Sequence, residues 1–155
     1  MPEIIQTFQP HVCMDQLSTL FNGSETWLGV FYPRKHIITT FPSFEIAISA
    51  KHALRTIGFR PDEVRAVSGG EMLRFLNELR ARTGFLGDLM TEFSRLIGTE
   101  ALFLDRDIWE ARHGAGFLAV RCSTERVADH IREHVRPLHP TAMQWYRTRA
   151  VWSLI

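Results

Sequence analysis

An α+β sandwich is the fold this sequence predicts, with a four-stranded antiparallel sheet and two helices on one face. Two observations carry that expectation. A short apolar strand, an amphipathic helix and a second strand follow one another near Ile37, and the same order returns near Phe117. Paired βαβ units are the layout of a two-layer sandwich. With 155 residues, 45% of them apolar and 23% charged, the chain supplies one domain with a substantial core.

Each element follows from its residues. HIITTF at 36–41 is a β-branched run stopped by Pro42, and Ser43 stands where the next helix needs an N-cap. From 44 to 57, Ile46, Ala47, Ala50, Ala53, Leu54 and Ile57 recur at helical spacing, with Glu45, Lys51, His52 and Arg55 elsewhere. Gly58 ends that helix, residues 59–62 turn, and EVRAVS alternates as a strand, which closes the first unit at about 36–68. The middle is helical by pattern. Met72, Leu73, Phe75, Leu76 and Leu79 make one apolar stripe, Leu89, Met90, Phe93, Leu96 and Ile97 a second, and a third candidate helix covers about 100–112. GFLAVRC then reads as a strand. Ser123 or Thr124 caps a helix with Val127, Ala128, Ile131 and Val135 inward, and Pro137 and Pro140 stop it. AMQWYR supplies the last core strand, and AVWSLI extends it, pairs elsewhere or docks as an apolar tail. The expected division is an N-terminal extension at 1–35, in which TWLGVFY at 26–32 reads as a strand or docking segment, followed by a single ferredoxin-like domain at 36–155 with a helical insertion at about 70–113.

The stretch HIITTFPSFEIAISAKHALRTIGFRPDEVRAVSGG resembles the opening of the small bacterial general stress proteins of the heat-induced, ferredoxin-like type, and WEARHGAGFLAVRCSTERVADHIREH resembles their second half. The similarity covers about residues 36–146 and consists of apolar spacing and turn glycines. It implies the sandwich fold and a stress-associated role. The family offers no agreed catalytic residues to carry over, and the extension before His36 departs from its pattern.

Composition excludes several classes of function. Eighteen basic and 17 acidic side chains leave a formal charge of +1, so no global field draws the chain to nucleic acid or an anionic membrane. Arg147 and Arg149 beside Trp145 and Tyr146 alternate along a strand and read as a solvated face. Cys13 and Cys122 are far apart and form no CxxC, which fits reduced thiols and a cytoplasmic protein. No basic-then-apolar leader opens the sequence, and no apolar run approaches the ~18 residues of a transmembrane helix.

Four groups of residues could carry chemistry. His130 and His134 are spaced i, i+4 on a helix, with Asp129, Glu133 and His139 nearby, so two imidazoles can share a metal; the competing reading makes His134 a hydrogen-bonded residue at the core edge. His11 and Cys13 could complete such a site from the extension. Ser68, Gly69 and Gly70 stand where a strand passes into a helix, a place for backbone N–H groups to hold an anion. Glu71 argues for a capped turn there instead. Asp105, Asp107 and Glu110 near Trp109 and His113 do not converge into an acid–base dyad, and Arg106 and Arg112 neutralise them. Ser68, Ser94 and Ser123 lack the context of an activated nucleophile.

The expectation is therefore a non-enzymatic, stress-associated or sensory module that self-associates as a homodimer, binds a small hydrophobic ligand or a protein partner, and uses no cofactor. The alternatives are a small metalloprotein or enzyme that places a transition metal on His130 and His134, and a purely structural interaction module.

Overall fold

The computed structural model describes residues 26–27, 30–31, 34–75, 109–147 and 151–155, and within them the protein is α+β, built on a five-stranded antiparallel sheet. Thr26–Trp27 (β1) and Val30–Phe31 (β2) pair with each other in a separate two-stranded sheet, so the TWLGVFY run contains two short strands rather than one. The main sheet contains His36–Phe41 (β3), Val64–Ser68 (β4), Gly116–Arg121 (β5), Ala142–Tyr146 (β6) and Val151–Ser153 (β7), in the spatial order β4-β5-β3-β6-β7. Every neighbouring pair is antiparallel. The four strands expected from the sequence share this sheet. The fifth is the C-terminal segment, which pairs with β6 through Gln144 opposite Ser153 and Tyr146 opposite Val151.

Two helices cover one face. Phe44–Thr56 (α1) and Glu125–Val135 (α2) turn Ala47, Ala50, Leu54, Ala128, Ile131 and Val135 onto the sheet, where they meet Ile37, Phe41, Val64, Leu118, Val120, Met143 and Trp145. Helical spacing of small and branched side chains fills this layer. α1 stops as its sequence demands: Gly58, at φ +110°, donates its N–H to Arg55 O, and Phe59 N–H reaches back to Leu54 O. That pair of bonds is a Schellman closure, which needs a left-handed residue that only glycine adopts without strain. The start of α1 differs from expectation. Ser43 holds the N-cap position in extended conformation but accepts no capping bond from the helix; Glu45 instead takes its own backbone N–H and the Ser43 hydroxyl, which hold its carboxyl below the usual range. At α2 the cap is made, with Val127 N–H donating to Thr124 Oγ1 at 3.3 Å.

The opposite face of the sheet is covered as well. Ile38, Val67, Phe117, Ala119 and Tyr146 pack there against Met72 and Phe75, from helical residues 69–75, and against Ala111, from helical residues 109–112. Both segments are the ends of the insertion. The central strand β3 is consequently buried along its whole length on both faces. Residues 76–108, which hold the Leu89 to Ile97 stripe and most of the third candidate helix, lie outside the described residues.

Candidate functional site

The second sheet face combines apolar packing with polar side chains that a core does not need. Strand alternation sets its membership: the residues sharing Ile38's face are His36 and Thr40 on β3, Gln144 and Tyr146 on β6, Ala119 and Arg121 on β5, and Arg65 on β4. The register aligns Arg65, Ala119, Ile38, Gln144 and Ser153 in one rung across all five strands. The next rung is Val67, Phe117, Thr40 and Ala142.

On these rungs Thr40 is fully buried and Gln144 is 2% exposed. Thr40 Oγ1, Gln144 Oε1 and Arg65 Nε are all out of reach of solvent and have no hydrogen-bond partner among the described residues. A buried polar group without a partner costs about 1–3 kcal/mol, and folded proteins retain few of them. His36 flanks the rung with its ring fixed, since Nδ1 lies 2.7 Å from Arg34 O and a carbonyl only accepts. Ile38, Phe117, Met72 and Phe75 belong to the apolar cluster on the same face. Small-molecule sites combine apolar walls with a few polar groups. Thr39 Oγ1 is also buried and unpartnered, but Thr39 alternates onto the helix-covered face, between Ile37 and Phe41.

The residues singled out from sequence fall elsewhere. At Ser68, the strand-to-helix junction closes on itself: Ser68 N–H donates to Glu71 Oε2 at 2.7 Å, and Glu71 N–H donates to Ser68 Oγ at 3.2 Å. This is a capping box, and an anion approaching Ser68, Gly69 and Gly70 meets a carboxylate already in place. Gly69 allows the close approach of Ala111 O, which leaves no room for a Cβ.

His130, Glu133 and His134 gather on the outer side of α2 with their ligand atoms all within 4.8 Å of one another. Asp129 faces Arg132 at 3.4 Å, and His139 ends the turn Arg136–Leu138 with φ +53°. Trp109 stacks on His113 with ring centroids 4.0 Å apart, while Glu110 accepts from the Ala115 and His113 N–H groups at the end of that helix. His11, Cys13, Asp105, Arg106, Asp107, Ser94 and Arg149 lie outside the described residues. Cys122 is buried, and burial pushes its thiol up to about 11 against the smaller opposing effect of its bond to Thr124 O. Such a thiol is packing, not a nucleophile. Arg147 does not simply face water: its guanidinium lies 4.8 Å from the Trp145 ring and 4.3 Å from the Trp152 ring.

The chain matches no protein-family model, no curated protein and no solved structure. No helix among the described residues is long and apolar enough to cross a membrane.

Proposed function

We propose that this chain is a non-catalytic, stress-associated or sensory binding module on a ferredoxin-like sandwich. It holds a small, mainly apolar ligand with a polar or anionic head on the second sheet face, beneath the described ends of the insertion. The carrying observation is the set of buried atoms on that face with no hydrogen-bond partner among the described residues, Thr40 Oγ1, Gln144 Oε1 and Arg65 Nε, on the same face as the apolar cluster of Ile38, Phe117, Met72 and Phe75. A ligand head that bonds to these atoms removes their desolvation cost. Arg65 gives the head its sign, because a guanidinium favours a carboxylate or phosphate.

The ferredoxin-like assignment is supported by the strand order, in which β5 lies between β3 and β4 and β6 lies on the far side of β3, with β7 added at that edge. The resemblance to the general stress proteins belongs to the same reading, as does a cytoplasmic, self-associating protein. Self-association fits the β7 side, where Trp152 is 45% exposed and Ile155 52% exposed.

Paired variants test the ligand face. Thr40→Val with Gln144→Met replaces both unpartnered groups by apolar ones, so we expect unchanged or higher thermal stability together with loss of the small molecule released when wild-type protein is denatured. Thr39→Val is the control: it removes an unpartnered hydroxyl on the other face and should leave the released ligand unchanged. A destabilised double variant, with no small molecule released from either protein, contradicts the reading.

A further inference from the structure

The second half of α2 presents a donor set that the ligand face does not use. His130, Glu133 and His134 stand at i, i+3 and i+4, the spacings that stack side chains on one helical face. We propose that these three residues form an open site for a borderline divalent transition metal of the zinc or copper class.

Geometry, tautomer and position each support the site. Tetrahedral zinc with bonds near 2.0–2.1 Å places its donors about 3.3 Å apart. The three donors lie within 4.8 Å of one another before any ion draws them in, and rotation of exposed side chains covers the difference. His134 Nδ1 lies 2.9 Å from His130 O, and because the carbonyl cannot donate, the proton is on Nδ1. That leaves the lone pair on Nε2. A ligand histidine anchored through its other nitrogen to a backbone carbonyl is the arrangement metal sites use to fix ring and tautomer.

His130 is held in a different way. Phe59 stacks on it at 6.5 Å with an interplanar angle of 21°, and His134 meets it edge-on at 4.7 Å. The Glu133 carboxylate has no ion pair among the described residues, whereas the neighbouring Asp129 is engaged by Arg132. The site also falls near the C-terminus of α2, where the unpaired carbonyls favour a cation.

Two imidazoles and a carboxylate select zinc, copper, nickel or cobalt over calcium and magnesium, which take oxygen shells. His130 and Glu133 are exposed and His134 is half-buried, so water completes the coordination and an exchangeable ion fits better than a structural one. A concavity of about 640 Å³, lined by Phe59, Arg126, Val127, Asp129, His130 and Glu133, leaves room for a further ligand on the metal.

The test uses the full chain stripped with a chelator, then titrated with Zn²⁺ against a chromophoric competitor and with Co²⁺ read by visible absorption. Wild-type protein should take one ion per chain at this site. His130→Gln with His134→Gln should weaken that binding by about 100-fold or more and remove the cobalt spectrum, and Glu133→Gln should weaken it by about 10-fold. All three side chains lie on the outer side of α2, so circular dichroism should show folded variants; should the double variant lose its helix, the Glu133→Gln comparison decides. Equal zinc affinity in the wild-type and substituted proteins overturns the site.

Discussion

Leu54 shows how far one residue's role can be read from spacing alone. It lies on the inward stripe of α1 and is fully buried, whereas His52 is exposed on the same helix. Leu54→Ala should cost about 2–5 kcal/mol in denaturant melts and His52→Ala well under 1, because only the first leaves a cavity. Cys122 is a small buried hydrophobe, and its titration follows from that burial. The folded thiol keeps its proton to about 11, against 9.0 for an exposed one. Its contribution to stability is therefore complete below pH ~9 and is lost as pH rises through 11. Cys122→Val should flatten that part of the stability–pH profile, and an unchanged alkaline slope would mean that the thiol is not protected. Thr40, Gln144 and Arg65 were not legible as a group. A polar residue alternating with apolar ones along a strand reads as solvent-facing, and only the cover on the second face reverses that meaning.

Among the elements, the helix ends separate residue type from realised interaction. Ser43 and Thr124 are equivalent in sequence, since each is a hydroxyl residue before an amphipathic run. Only Thr124 accepts from its helix, and at α1 Glu45 takes over. Thr124→Ala should cost about 0.5–2 kcal/mol and Ser43→Ala distinctly less, measured by chemical denaturation. The Ser68 to Glu71 capping box was anticipated by the charge of Glu71, yet its reciprocity appears only in the bond pair. Trp145 lies on a core strand, as the AMQWYR run predicts, but its Nε1–H donating to Cys122 O at 3.2 Å is a contact across 23 residues that no local pattern announces. Trp145→Phe leaves that buried carbonyl without the indole donor, and a loss of about 1–3 kcal/mol is expected in the same melts.

For the whole molecule, the sequence was most informative where structure is local and periodic. β3, α1, β4, β5, α2 and β6 all follow from alternation, helical spacing and turn residues. The addition of β7 and the use of the insertion's ends as a cover follow from long-range packing, for which one chain carries no periodic signal. At the described ends of the insertion, Met72 and Phe75 bury the sheet face that a two-layer sandwich would leave to water. This cover also encloses polar atoms that have no partner among the described residues, from which the binding reading follows. Native mass spectrometry of protein purified without added ligand tests this most directly. The wild-type chain should carry an extra mass matching a small molecule, which Thr40→Val with Gln144→Met loses while Thr39→Val retains it. A wild-type mass equal to that of the bare polypeptide, in every subunit state observed, would contradict the account.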